Sequence, residues 1–128
     1  PPDEQKTLYK MSYEQIHHNI SLLKAGLSFR EFSEKAWKMP TKYSKLDGGA
    51  IVHGTGMCNE YPVIWAPHLF AQTGYDGYFE ENMTISVESY IGEAGGSERV
   101  KLEEMVRITD SGAHPIAQFP FEDELLAL

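Results

Sequence analysis

Met83-Thr-Ile-Ser-Val-Glu-Ser-Tyr-Ile91, then Gly92-Glu-Ala-Gly-Gly-Ser-Glu98, then Val100-Lys-Leu-Glu-Glu-Met-Val-Arg-Ile108 reads as two strands joined by a Gly-rich connection. Strict alternation places Met83, Ile85, Val87 and Ile91 on one face of the first strand. It places Val100, Leu102, Val106 and Ile108 on one face of the second. Glu88 and Glu103 fall on the opposite, more polar face. With the turn at Gly95 and Gly96, residue numbers that pair sum to about 191, which sets Glu88 across from Glu103. Facing carboxylates repel unless they share a proton or hold a cation between them.

A histidine upstream favours the cation. In Ala50-Ile-Val-His-Gly-Thr-Gly-Met-Cys-Asn-Glu-Tyr-Pro62, three apolar residues run into His53 as the start of a buried strand would. Gly54 and Gly56 permit tight backbone geometry and close approach of a ligand. One imidazole and two strand carboxylates make a suitable N/O donor set for Fe, Mn, Co or Zn. Spacing alone leaves the plainer reading open: a structural histidine beside glycines, and two solvated glutamates.

Outward from the hairpin, the chain reads as two helices followed by strands. Pro1-Pro2-Asp3-Glu4 opens a helix, with acidic residues where the helix dipole favours them. Tyr9, Tyr13, Ile16, Ile20 and Leu23 form its apolar stripe, and Gly26 ends it. Ser28-Phe-Arg-Glu31 is a capping box for a second helix with Phe29, Phe32 and Ala36 inward and Pro40 as its stop. His17 and His18 lie off the first stripe and read as surface residues. Met39 to Gly49 is a polar connection, and Trp65 to Glu81 a long aromatic irregular segment of the kind that often carries function. Ala113 to Phe121 can add a last short strand, and Glu122 to Leu128 a tail or short helix. Two amphipathic helices cannot cover their own stripes, and the alternating strands supply the missing face. The fold class expected is therefore α+β, with two N-terminal helices packed on a curved antiparallel sheet.

A chain of 128 residues with 41% hydrophobic content suffices for one core, so residues 1–128 read as a single domain. No apolar run reaches the length of a membrane span and no segment reads as a signal peptide. The single cysteine, Cys58, excludes an intramolecular disulfide, suits a reducing cytoplasm, and reads as a small buried side chain beside the site. Residues 1–45 carry eight Lys/Arg against five Asp/Glu, and the remainder three against fourteen, for a net charge of -8. So acidic a C-terminal part argues against nucleic-acid binding, which requires basic surface.

The wording around the three candidate ligands adds a further layer. His53-Gly-Thr-Gly-Met-Cys-Asn-Glu-Tyr-Pro62, then Asn82-Met-Thr-Ile-Ser-Val-Glu88, then Val100-Lys-Leu-Glu-Glu-Met-Val-Arg-Ile-Thr-Asp-Ser-Gly112 resembles the M24 "pita-bread" metalloenzymes. These include methionine and Xaa-Pro aminopeptidases, prolidases and creatinase, and the likeness runs from about residue 3 to residue 121. The resemblance implies the C-terminal half of the pita-bread fold, and so the C-terminal part of a larger catalytic domain. It implies His53, Glu88 and Glu103 as ligands of a centre of two divalent ions (Mn, Fe, Co or Zn), with Glu103 bridging. The family's other two ligands are aspartates from the preceding half. Upstream of His53 only Asp3 and Asp47 are present, neither in a strand pattern, so three of five ligands are expected here and the isolated chain is expected to be inactive.

Peptidase members place a second histidine shortly after the first, where this chain has Asn59, which can donate to an oxyanion but cannot relay a proton. The Gly-Met-Cys-x-Glu-Tyr-Pro string, the short 92–98 connection and Phe119-Pro-Phe-Glu-Asp-Glu-Leu125 are similar to the branch that cleaves dimethylsulfoniopropionate. That branch uses a carboxylate base which aligns with Asn59, and Glu60 is the substitute at hand. The resemblance thus implies a Xaa-Pro dipeptidase-like hydrolase, with the lyase and a non-catalytic binding domain as alternatives. Glu88, Asn59 and Glu60 are the catalytic candidates, and Asn59, Tyr61 and Trp65 the substrate-binding ones. Tyr43, Tyr75, Tyr78 and Tyr90 are further candidates for lining a pocket that takes a dipeptide or another small molecule. Expected partners are the N-terminal half of the same enzyme and, through an unpaired sheet edge, a second copy in a homodimer.

Overall fold

A computed structural model describes residues 2–43 and 49–127; Asp47 lies outside them. The first helix, α1, runs Asp3–Leu22, and the second, α2, Phe29–Lys35. Among the described residues five strands follow: β1 Ala50–Gly54, β2 Val63–Trp65, β3 Thr84–Gly92, β4 Arg99–Ile108 and β5 Ala113–Pro115. A one-turn helix α3, Phe70–Thr73, separates β2 from β3, and α4, Asp123–Leu126, follows β5. The strands form one antiparallel sheet in the order β2-β1-β3-β4-β5, an open sheet with helices packed on it, as the α+β reading expects.

The β3–β4 hairpin takes the register that alternation dictates: Glu88 is paired with Glu103, Val87 with Glu104 and Ile85 with Val106. Gly95 supplies the left-handed backbone the turn needs (φ 82°), and Gly96 N–H closes it on Glu93 O at 2.9 Å. The next connection is stapled by Thr109, whose Oγ1 accepts from Gly112 N–H at 3.1 Å while its own N–H donates to Gly112 O at 2.8 Å.

Ile85, Val87, Ile91, Val106 and Ile108 are wholly buried, and Ile85, Val87, Val106 and Ile108 share one core with Ile16, Phe29, Phe32 and Phe79. At roughly 1.5–3 kcal/mol per large apolar side chain, this layer dominates the stability of the fold. Phe29 and Phe32 both meet Phe79 edge-to-face, with ring centroids 5.0 and 5.5 Å apart. The inward stripe of α2 is as expected, but the helix ends at Lys35, five residues before Pro40. Only half of its capping box forms: Glu31 N–H donates to Ser28 Oγ, while the Glu31 carboxylate pairs with Lys35 at 2.6 Å instead of returning to the cap.

Three expectations need correction. The buried face of α1 is rotated from the predicted stripe: Ser12, Gln15 and Asn19 are buried, whereas Tyr13 and Ile20 are only half-buried. Hydrogen bonds account for part of this, since Ser89 Oγ donates to Gln15 Oε1 at 2.7 Å and Trp37 N–H to Asn19 Oδ1 at 2.9 Å. Second, α1 stops at Leu22 rather than at Gly26. Third, residues 65–81 are not a free loop: Phe70 and Phe79 are buried, and Phe29 N–H donates to Gly77 O at 3.0 Å. Apolar anchors at 70 and 79 order a segment whose composition reads as irregular. His17 and His18 are exposed, as expected.

Candidate metal centre

Val52 of β1 is wholly buried against the helices, so its neighbour His53 projects from the opposite face. His53 pairs with Ser86, which puts Glu88, two residues further along β3 on the same face, diagonally beside it. Glu103 follows from the hairpin register, and Lys101, two residues before it on β4, shares that face. Three separate strands thus deliver one imidazole, two carboxylates and one ammonium group to a single patch.

His53 Nε2 lies 2.7 Å from Glu88 Oε1 and 3.6 Å from Glu103 Oε1. Lys101 Nζ lies 3.1 Å from Glu88 Oε2 and 3.1 Å from Glu103 Oε2. Each carboxylate therefore shows one oxygen to the imidazole and the other to the ammonium group. The opposing cationic donors hold together two negative charges that would otherwise repel. Sequence reasoning missed Lys101; its signal was the i, i+2 spacing to Glu103, which on a strand means the same face.

The other imidazole nitrogen, Nδ1, donates to Gly54 O at 3.0 Å. This contact carries a chemical consequence. It places the proton of a neutral imidazole on Nδ1 and leaves the Nε2 lone pair aimed at the carboxylates. At 2.7 Å from a carboxylate oxygen, Nε2 then needs either a second proton or a cation between the two. Metal-binding histidines are commonly oriented by such a second hydrogen bond. Burial works against charge on His53, but the Gly54 carbonyl, the Glu88 hydrogen bond and the two glutamate charges outweigh it and raise its pKa above 6.5. For Glu103, burial is likewise outweighed: hydrogen bonds from Lys101 and Ser86, with the Lys101 and His53 charges, hold its pKa below 4.5. Lys101 is raised above 10.5, first by its hydrogen bonds to Glu88 and Glu103.

The donor set suits a divalent first-row cation. One ligand atom each from His53, Glu88 and Glu103 falls within a mutual 4.8 Å. Two donors on one ion at about 2.1 Å stand up to about 4.2 Å apart, a separation the 2.7 and 3.6 Å contacts of His53 already satisfy. Among the described residues this grouping comprises those three side chains alone.

The remaining predicted residues are not drawn into that grouping. Asn59 (φ 60°) and Glu60 are exposed on the loop that follows β1. That loop is tied back to the strand, since Gly54 N–H donates to Glu60 O at 3.1 Å and to Pro62 O at 2.8 Å. A Cβ on Gly54 would lie 1.8 Å from Tyr61 O, so glycine here admits the chain's own backbone. Tyr61 is exposed, stacks on Tyr75 with centroids 5.9 Å apart, and meets Phe29 edge-on. Trp65 is half-buried on the edge strand β2. Cys58 is exposed, against expectation; the loop carries it outward rather than into the core. A cavity of about 570 Å³ adjoins the cluster through Glu88 and is lined also by Trp37, Ile51, Pro67, His68 and Tyr90. Of the aromatic candidates, Tyr90 alone contributes to that wall; Trp37 and His68 were not foreseen.

The sequence profile of metallopeptidase family M24 matches residues 1–110. The chain is 30% identical over 126 residues to dimethylsulfoniopropionate lyase DddP of Roseovarius nubinhibens, covering 98% of this chain and 28% of that protein. It is 33% identical over 123 residues to DddP of Roseobacter denitrificans, covering 94% of this chain and 28% of that protein. Among solved structures, the Xaa-Pro dipeptidase from Bacillus anthracis superposes with a TM-score of 0.76 at 25% identity, over 95% of this chain and 33% of that one. The prolidase from Pyrococcus furiosus superposes with a TM-score of 0.75 at 23% identity, over 94% of this chain and 34% of that one. The chain thus spans under a third of the length of these curated relatives and about a third of these structural ones.

Proposed function

This chain belongs to metallopeptidase family M24, and on that premise we propose that it is the C-terminal metal-binding part of a dinuclear hydrolase that acts on Xaa-Pro dipeptides or similar small substrates. The convergence of His53, Glu88 and Glu103 within 4.8 Å is the observation that carries this reading. His53 binds through Nε2, kept available by the Nδ1–H bond to Gly54 O. Glu88 and Glu103 would hold the cations with it, each through a carboxylate oxygen. The remaining ligands come from the other half of the enzyme. When bound, divalent ions supply Lewis acidity, lowering the pKa of a water and polarising the scissile carbonyl.

The chain's own residues do the rest. Glu88 accepts the nucleophile's proton on a carboxylate oxygen and passes it to the leaving amine. Asn59 donates its side-chain amide to the substrate, with Glu60 as the neighbouring carboxylate able to serve as a base. Tyr61 and Trp65 flank the substrate. The bonds from Gly54 N–H to the 60–62 backbone support this arrangement, because they fasten the loop beside the His53 strand. We further propose that the full-length protein works in the cytoplasm and that two copies associate through an open sheet edge, β2 or β5.

A second reading is favoured by sequence likeness: the curated relatives at 30% and 33% identity are lyases. There His53, Glu88 and Glu103 would hold ions that neutralise the substrate carboxylate, and a base would take the proton α to it as the carbon–sulfur bond breaks and dimethyl sulfide leaves, giving acrylate. Asn59 departs from both patterns. Hydrolysis is preferred because there the position need only donate a hydrogen bond to the oxyanion, which an amide can do, whereas a lyase base at that position must accept a proton, which an amide cannot. Parallel assays of the full-length protein, loaded in turn with Mn, Fe, Co and Zn, separate the two. Proline release from Xaa-Pro dipeptides supports the first reading, and acrylate release from dimethylsulfoniopropionate replaces it with the second. The isolated chain is expected to turn over neither substrate.

A further inference from the structure

We propose that Lys101 is an internal counter-ion of this centre, competing with a divalent cation for Glu88 and Glu103 and so setting how tightly the metal is held. The inference rests on the reading of those two glutamates as ligands, and adds a residue that acts through them. Its warrant is geometric. One ammonium nitrogen stands 3.1 Å from both carboxylates and takes one Oε2 from each, leaving both Oε1 atoms toward His53. Four carboxylate oxygens are therefore divided evenly between an imidazole and an ammonium group, and the ammonium half is unavailable to a metal ion while Lys101 stays in place.

Two features make Lys101 a competitor rather than a fixed strut. Its side chain is half-exposed (50%), on a flexible four-carbon stem whose head is readily hydrated, so it can withdraw toward water. Its charge also opposes that of any cation entering the patch: with Lys101 present the two carboxylates and one ammonium sum to one negative charge, and without it to two. Removing the ammonium should therefore strengthen divalent binding while weakening the protein before metal is added, because the facing carboxylates lose their neutralising partner. A strut would behave oppositely, with metal affinity falling alongside stability.

The test is Mn2+ titration by calorimetry of the full-length protein after chelation, comparing wild type, Lys101→Arg and Lys101→Met, with melting temperatures recorded before and after metal. Lys101→Met is expected to bind Mn2+ roughly tenfold tighter, the scale of one screened unit charge acting on a divalent ion across a few ångströms. It should melt below wild type in chelator and recover more than wild type on adding Mn2+. Lys101→Arg, which keeps the charge, should stay within about twofold of wild-type affinity. Equal or weaker binding by Lys101→Met, with wild type binding normally, overturns the competition. Failure of all three proteins to bind Mn2+ overturns the ligand assignment itself and this inference with it. Should Lys101→Met not fold, Lys101→Gln removes the same charge and carries the same expectation.

Discussion

On the helix-covered face of the hairpin, Ile85, Val87, Ile91, Val106 and Ile108 are wholly excluded from solvent, whereas on its other face Glu88, Lys101 and Glu103 keep between a fifth and a half of their side-chain surface exposed. The same two strands therefore do two jobs divided by residue parity. One face gains its free energy from removing apolar surface from water and specifies the fold. The other brings like charges together, against their preference, and tolerates them through His53 and Lys101, with Ser86 also supporting Glu103. What the first face stabilises, the second can use for binding.

The sharpest way to break this contrast is to compare equal insults on the two faces. Ile85→Ala should cost about 2–5 kcal/mol in urea denaturation, as buried large-to-small changes do. Glu103→Gln should cost less than about 1 kcal/mol, because a partly exposed ion pair contributes little, yet it should abolish tight metal binding. A loss of stability from Glu103→Gln as large as that from Ile85→Ala would erase the distinction. Gly54→Ala falls between, since a Cβ would lie 1.8 Å from Tyr61 O and the loop must move. About 1–3 kcal/mol is expected, with weaker metal binding as His53 shifts.

A smaller effect separates the faces by pH. In chelator, the raised pKa of His53 means that its charged contact with Glu88 contributes fully below the ordinary value of 6.5 and fades as pH rises through the higher folded value. The depressed pKa of Glu103 acts in the reverse sense: its contribution is present above 4.5 and disappears as pH falls through the lower folded value. The stability gap between wild type and His53→Gln should thus be wider at about pH 6 than at about pH 9, whereas the cost of Ile85→Ala should not follow that titration. Smallest of all, alkylation of exposed Cys58 should leave thermal stability within about 0.5 kcal/mol of the unmodified protein, as changes at exposed positions usually do. A marked fall in melting temperature would place that side chain in the packing after all.

The hairpin was legible because its signal is local: period-two alternation fixes both the faces and the register, and the pairing of Glu88 with Glu103 follows from where the turn lies. His53 was legible for the same reason, as a polar residue ending an apolar run. Contacts that depend on long-range packing were harder to read. The buried polar stripe of α1 is partly explained by bonds from Ser89 and Trp37, 74 and 18 residues distant in the chain, and nothing local to the helix announces them. Phe70 and Phe79 order a stretch whose Gly, Pro and polar content reads as loop. Cys58 was assigned to the interior from residue type, but its loop is tethered by backbone bonds that leave its side chain outside. Lys101 was overlooked although its parity was plain, because a lysine beside two glutamates reads as ordinary surface until the 3.1 Å contacts to both are seen.

The most direct test of the metal centre is a crystal structure of the full-length protein grown with Zn2+ and measured at the zinc absorption edge. The account predicts anomalous density within about 2.0–2.2 Å of His53 Nε2 and of a carboxylate oxygen from each of Glu88 and Glu103. Density elsewhere, with His53 still bonded directly to Glu88, would contradict it.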